Sequence, residues 1–346
     1  MKKLLTISFI ICFIGGCSYF LGSCKKREAV RVTPVSFPLP AGFPAPSYNL
    51  GGNPLTEEGI ALGRRLFYEG RLSKDGNFPC SSCHQQVSAF GTFDHDLSHG
   101  YNNSHTLRNA MPLFNLAWQQ RFHHDGAYSD LDIVPIYHIT SPVEMAETVD
   151  AVLVKLRADS RYREMFRAAF GDDEINNERM MKALAQFTVS MVSADSKYDR
   201  VKAGRASFTQ QEQQGYQLFQ TKCASCHTEP LFTDGSFRNT GLPLIPNFDD
   251  IGRAFVTRDP ADSMKFRVPT LRNVMATYPY MHDGRFWSID QVMLHYRSGI
   301  RQSASLDPSL RNGIPSTTTE SRLIEMFLHT LTDSTFLTNP KFSRPQ

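Results

Sequence analysis

Hydrophobic residues fall at helical spacing over much of the chain. Met180, Leu184, Phe187 and Met191 recur every three or four positions, and so do Leu323, Met326, Phe327 and Leu331. Side chains spaced this way share one face of a helix and predict a buried stripe, with its methionines read as core. Thr209 and Glu212 have capping-box spacing, which predicts a helix start at that point. Alternating β-branched runs are scarce. The expected class is all-α with long loops.

Two stretches depart from this pattern. Leu4 to Leu21 is apolar, follows Lys2 and Lys3, and leads into Leu21-Gly22-Ser23-Cys24 and then Lys25, Lys26 and Arg27. This layout resembles a bacterial lipoprotein signal over 1–24, with Cys24 as the lipidated residue. Cys17, after Ile14-Gly15-Gly16, is a second candidate. An apolar run of about 18 residues is borderline for an uncleaved span. On either reading the bulk is exported, so a periplasmic protein held to the membrane is expected. Residues 25–50 carry Pro34, Pro38, Pro40, Pro44 and Pro46 and predict an extended tether.

The remainder repeats. Ala61-Leu62-Gly63-Arg64-Arg65-Leu66-Phe67 corresponds to Gln214-Gly215-Tyr216-Gln217-Leu218-Phe219. Thr106-Leu107-Arg108-Asn109 recurs as Thr270-Leu271-Arg272-Asn273, and His124-Asp125-Gly126 as His282-Asp283-Gly284. Leu131-Asp132-x-Val134 recurs as Ile289-Asp290-x-Val292. Ordered matches of this kind predict two copies of one unit, placed at 51–203 and 204–346. With 37 basic and 34 acidic residues, the chain lacks the basic surplus of a nucleic-acid binder.

Of seven cysteines, three lie in the signal region. The others form Cys80-x-x-Cys83-His84 and Cys223-x-x-Cys226-His227, at matching points of the repeat. In C-x-x-C-H two thiols add to the haem vinyl groups while the histidine reaches the iron. A zinc site would need a fourth ligand, and no partner C-x-x-C lies nearby. Two covalent haem c groups are expected, each wrapped by one cytochrome c-like domain. The sixth position of each iron then decides between electron transfer and oxidant chemistry.

Together with Tyr278-Pro279-Tyr280-Met281-His282-Asp283-Gly284, these motifs resemble the bacterial di-haem cytochrome c peroxidases and their methylamine-utilisation relatives. The resemblance covers about residues 52–335. It implies a peroxidatic N-terminal haem and an electron-transferring C-terminal haem. Hydrogen peroxide would be reduced with electrons from a small donor such as cytochrome c or a cupredoxin. It also implies a calcium ion between the haems, and a homodimer, common among the peroxidases.

Carried over by position, the resemblance makes His84 the proximal ligand of the first haem. Ser98-His99-Gly100 matches a loop whose histidine caps that iron at rest, with His95 and His105 close by. Glu144, 20 residues after His124, matches the distal acid–base glutamate. Asn109, Thr277 and Pro279 match the calcium positions.

The sequence departs from the peroxidase pattern at three places. Tyr296 lies 14 residues after His282, where the peroxidases have methionine and the methylamine-utilisation enzyme has tyrosine. A tyrosinate ligand opposite His227 would give the second haem a low potential. Met293 and Met281 are the alternatives. His124 stands where peroxidases carry a tryptophan relay, for which Trp118 or Trp287 could substitute. His138 is the repeat counterpart of Tyr296 and would ligate the first iron or assist Glu144. Three functions follow: peroxide reduction first, then oxidation of a protein or small-molecule substrate, then plain electron carriage.

Overall fold

The computed structural model describes residues 31–245 and 249–346; the signal region with Cys17 and Cys24 lies outside them. Helices dominate, and the described residues hold one small sheet, Phe237–Arg238 paired antiparallel with Phe266–Arg267. None of the described helices is long and apolar enough to cross a membrane.

Each repeat unit is built on one close helix pair. Glu57–Phe67 packs on Asn177–Ser190, and Gln210–Lys222 packs on Thr318–His329. The repeated glycines explain the closeness. A Cβ on Gly63 would lie 1.8 Å from the Ala183 carbonyl oxygen, and one on Gly215 would lie 1.9 Å from that of Leu323. Only a residue without a side chain admits this approach. The Thr209–Glu212 capping box forms as expected, and Thr317 with Glu320 forms its counterpart on the partner helix.

The hydrophobic stripes fill two cores. Leu62, Leu66, Phe67, Met180, Leu184, Phe187 and Met191 are buried in the first. Phe219, Phe232, Ile324, Phe327 and Leu331 are buried in the second, while Met326 faces outward.

The cores do not divide at 203/204. Tyr198, on the Lys197–Lys202 helix, packs its ring on Phe232 in the second core. The chain end returns to the first core: Phe336 packs on Phe90 and Phe114, and Phe342 packs on Phe187. Arg64 and Tyr68 donate to the Ser343 and Phe342 carbonyls. Aromatic side chains bury wherever a core offers space, whatever their position in the chain.

The proline-rich segment also departs from expectation. From residue 34 it lies against the globular part as a strap. Trp118 packs on Phe37 and Phe43, and its indole N–H donates to the Pro44 carbonyl at 2.7 Å. Tyr48 donates to Asp132 at 2.7 Å. Phe43 also lies under the Arg272 guanidinium, 4.8 Å from its ring centre, so the strap touches both units. Its apolar residues, interleaved with the prolines, supply the packing that a free tether lacks.

The two His-Asp-Gly turns pack reciprocally across the units. Gly126 and Gly284 both have left-handed backbones, at φ +73° and +69°. A Cβ on Gly126 would strike Phe237, and one on Gly284 would strike Asp96. Each unit therefore fills the space left by the other's glycine.

Candidate haem sites

Cys80–Cys83 forms a single helical turn, and His84 follows it. The turn puts both thiols and the imidazole on one wall of a cavity of about 460 Å³. His84 Nδ1 lies 2.8 Å from the Phe90 carbonyl oxygen. A ring nitrogen engaged with a carbonyl leaves the other nitrogen's lone pair for a metal. Burial, reinforced by nearby His138, holds His84 at about 4, so the imidazole is neutral as a ligand must be.

The second motif repeats this arrangement. His227 Nδ1 lies 3.2 Å from the Phe232 carbonyl oxygen and 3.1 Å from that of Pro269. None of the four motif cysteines is paired in a disulfide. Burial pushes Cys80 and Cys223 up to about 12, which opposes the thiolate that a zinc site requires. A neutral thioether suits these surroundings, and the donor sets fit two covalent haems.

The first cavity is mainly apolar, with polar groups at chosen points, as a large flat cofactor requires. Glu144 reaches into it and holds His138 Nδ1 at 2.5 Å through Oε2. The turn bearing Glu144 is fixed by the His99 loop: Tyr101 N–H donates to the Glu144 carbonyl at 2.7 Å. A Cβ on Gly100 would lie 2.6 Å from Glu144 Cα, so Gly100 permits this contact.

His138 sits on the Val134–Thr140 helix, with its ring centre 6.5 Å from that of His84 and the planes at 82°. His99 lines the same cavity from the loop beside Cys83. Its ring packs between His95 and His105, with centres 4.9 and 4.2 Å away, and its Nδ1 pairs with Asn103 at 3.1 Å.

Arg267 carries no motif signal, yet it matters to this cavity. It belongs to the small sheet of the second unit but lines the cavity of the first. Its backbone N–H donates to the His124 carbonyl at 2.6 Å. Arg267 is 8% exposed; its guanidinium touches Met111 Sδ at 3.8 Å and leaves Nε without a hydrogen-bond partner. Burial lowers its pKa to about 10. A buried cation of this kind calls for an anion, and the haem propionates are carboxylates.

His124 occupies the boundary between the units. It is buried, with Nε2 2.9 Å from the Asn109 carbonyl oxygen, and burial lowers it to about 3. Its counterpart His282 stacks on Phe266 with ring centres 3.7 Å apart, and its carbonyl accepts from Asn109 N–H at 2.8 Å. Trp118 packs under the strap, and Trp287 is 49% exposed.

Of the three residues expected to hold calcium, Asn109 lies at the seam between units. Its Nδ2 donates to the Asp96 carbonyl, which leaves Oδ1 available. The loop before Thr277 and Pro279 reaches the same seam, where Ser88 Oγ donates to the Ala276 carbonyl at 2.7 Å.

Tyr296 lies in a π-turn, His295–Gly299, that continues the Ile289–Leu294 helix. Such wide turns re-aim a side chain. The phenol is raised well above its ordinary value, first by burial and then by the Cys226 and Cys223 thiols beside it. Met293, the alternative ligand, packs in the second core.

Comparison with known proteins shows the family. A family model described as di-haem cytochrome c peroxidase matches residues 57–207. The methylamine utilization protein MauG of Methylorubrum extorquens is 31% identical over 96% of this chain and 96% of its own length. The cytochrome c551 peroxidase of Nitrosomonas europaea is 35% identical over 85% of this chain and 84% of its own. A crystal structure of a MauG-like protein associated with microbial copper homeostasis superimposes with a TM-score of 0.82 at 32% identity, covering 90% of this chain and 99% of that one. With both haem motifs in place and near full-length similarity to MauG and to cytochrome c peroxidases, the chain belongs to the di-haem cytochrome c peroxidase family.

Proposed function

We propose that this protein reduces hydrogen peroxide to water, using two electrons from a small donor such as a cytochrome c. Family membership implies two haem c groups, held through Cys80, Cys83 and His84 and through Cys223, Cys226 and His227. The observation that carries the proposal is the carboxylate–imidazole pair, Glu144 with His138, set in the apolar cavity that His84 enters.

A haem iron at His84 would supply cleavage of the peroxide O–O bond. The chain supplies proton management: a Glu144 oxygen takes the proton from one peroxide oxygen and returns it to the leaving oxygen. His138 holds the carboxylate in place, and the apolar walls keep bulk water from competing. Arg267 would pair with a propionate, and Tyr296 would be the ligand opposite His227.

A second reading is oxidation of a protein or small-molecule substrate. Tyr296 beside Cys223 and Cys226 supports it, because an anionic oxygen ligand stabilises oxidised iron. Calcium at Asn109, Thr277 and Pro279, two cytochrome c-like domains each closed round one haem, a homodimer, and a periplasmic site with a lipid at Cys24 or Cys17 belong to the same proposal.

The test is peroxide added to the half-reduced holoprotein with reduced cytochrome c. Rapid donor oxidation is expected, and Glu144→Gln should lose about 10²–10⁴-fold in rate with both haems attached. No turnover in the half-reduced wild type would reject peroxide reduction, and full turnover in Glu144→Gln would remove Glu144 from the chemistry.

A further inference from the structure

We infer that His138, not His99, is the second axial ligand of the N-terminal haem in the oxidised protein, with Glu144 as the residue that positions it. The inference rests on the first cavity holding a haem at His84.

Geometry separates ligation from a stand-off role. Two imidazoles sharing one metal, each with its nitrogen about 2 Å away, have ring centres about 6 Å apart. A distal imidazole that left room for peroxide would stand about 9 Å or more from the proximal ring, since an oxygen and a hydrogen bond must fit between. His84 and His138 are 6.5 Å apart, at the ligation distance.

The free nitrogens agree. His84 Nδ1 is engaged by Phe90, and His138 Nδ1 by Glu144 Oε2. In each ring these bonds leave Nε2 free to act as the metal-binding nitrogen. A carboxylate on the far nitrogen also strengthens an imidazole as a ligand and fixes its orientation.

His99 lines the same cavity, but its ring packs against two other imidazoles and its Nδ1 pairs with a neutral amide, Asn103, where His138 has a carboxylate. The loop around it fixes the Glu144 turn through Tyr101 and Gly100. In this protein the loop thus supports the ligand's partner.

The consequence is a closed resting site. Peroxide gains access only when His138 leaves the iron. Release needs a side-chain rotation on the Val134–Thr140 helix, and the freed imidazole remains bonded to Glu144 as a proton-carrying pair.

The experiment is electron paramagnetic resonance with optical spectroscopy on the oxidised holoprotein, its His138→Gly and His99→Ala variants, and His138→Gly with added imidazole. Wild type should show a low-spin N-terminal haem, with the strongly anisotropic signal of near-perpendicular imidazole planes. His138→Gly should convert it to high spin, imidazole should restore low spin, and His99→Ala should leave it low spin. A high-spin N-terminal haem in wild type overturns the assignment, even if His138→Gly yields no holoprotein. So does a low-spin signal that survives His138→Gly and vanishes in His99→Ala. These spectra are independent of turnover: a bis-histidine spectrum without peroxide reduction would remove the peroxidase proposal and leave the ligand in place.

Discussion

Arg108 of the first repeat unit grips Asp250 of the second through two hydrogen bonds, 2.6 and 2.8 Å long, and holds Asp125 of its own unit at 2.6 Å. Its repeat counterpart Arg272 grips Asp199 in the same two-pronged way, at 2.9 and 2.8 Å. Identical T-L-R-N segments thus give one clamp across the seam and one beside the second core. Bidentate pairing fixes orientation as well as distance, which suits a seam that must keep two redox centres in register.

Loss of the seam clamp should therefore be costly. Asp250→Asn leaves a mostly buried guanidinium short of one carboxylate and should remove about 2–4 kcal/mol of stability. Thermal unfolding of the holoprotein measures this. A change below about 0.5 kcal/mol, the level of a surface substitution, would show that other contacts hold the seam.

Tyr296 should set the potential of the C-terminal haem. With Tyr296 as the proposed ligand, Tyr296→Met would exchange an anionic oxygen for a thioether and should raise that potential, with a changed optical spectrum. Spectroelectrochemical titration is the measurement. An unaltered potential and spectrum in the variant would eliminate Tyr296 as ligand.

Arg267 brings the second unit to the cavity of the first haem motif. Arg267→Gln removes a buried positive charge beside the N-terminal haem, so that haem's potential should fall while the C-terminal haem is unaffected. Stability should drop by about 2–3 kcal/mol, because a propionate loses its counter-charge. Equal potentials in variant and wild type would mean the guanidinium faces something other than the haem.

Acid should release the stabilisation supplied by Glu69. Burial alone would raise this carboxyl, but Arg71 and Tyr162 outweigh it and hold it at about 2, against 4.5 ordinarily. Arg71 Nε and Tyr162 Oη donate to it at 2.9 and 2.8 Å. The unfolded chain therefore takes up this proton first as pH falls, and stability is lost from about 4.5 downward. At neutral pH Glu69→Gln should cost about 1–2 kcal/mol, discounted because Arg71 is partly exposed to solvent. The melting difference from wild type should narrow between pH 5 and 3. A difference independent of pH over that interval would assign the effect to packing.

Some of this protein was legible along the chain because the relevant physics is local. Cys80 to Cys83 forms one helical turn and Cys223 to His227 a turn closed by the His227 N–H on the Cys223 carbonyl, so short spacing alone brings thiols and imidazole together. The capping box at Thr209 and the stripe from Met180 to Met191 likewise depend on neighbours three or four residues away. The repeat marked Gly63 and Gly215 as partners before their shared helix contact was visible.

Other features join residues that sequence distance hides. Phe336 enters the first core from the far end of the chain, and Phe43 docks a proline-rich strap across both units. Arg267 reaches the other unit's cavity, and His138 comes to face His84. These placements arise when the two helix pairs pack and the His-Asp-Gly turns interlock. Local propensity has no term for such pairings, since they are selected by the buried area and charge compensation of the assembled fold.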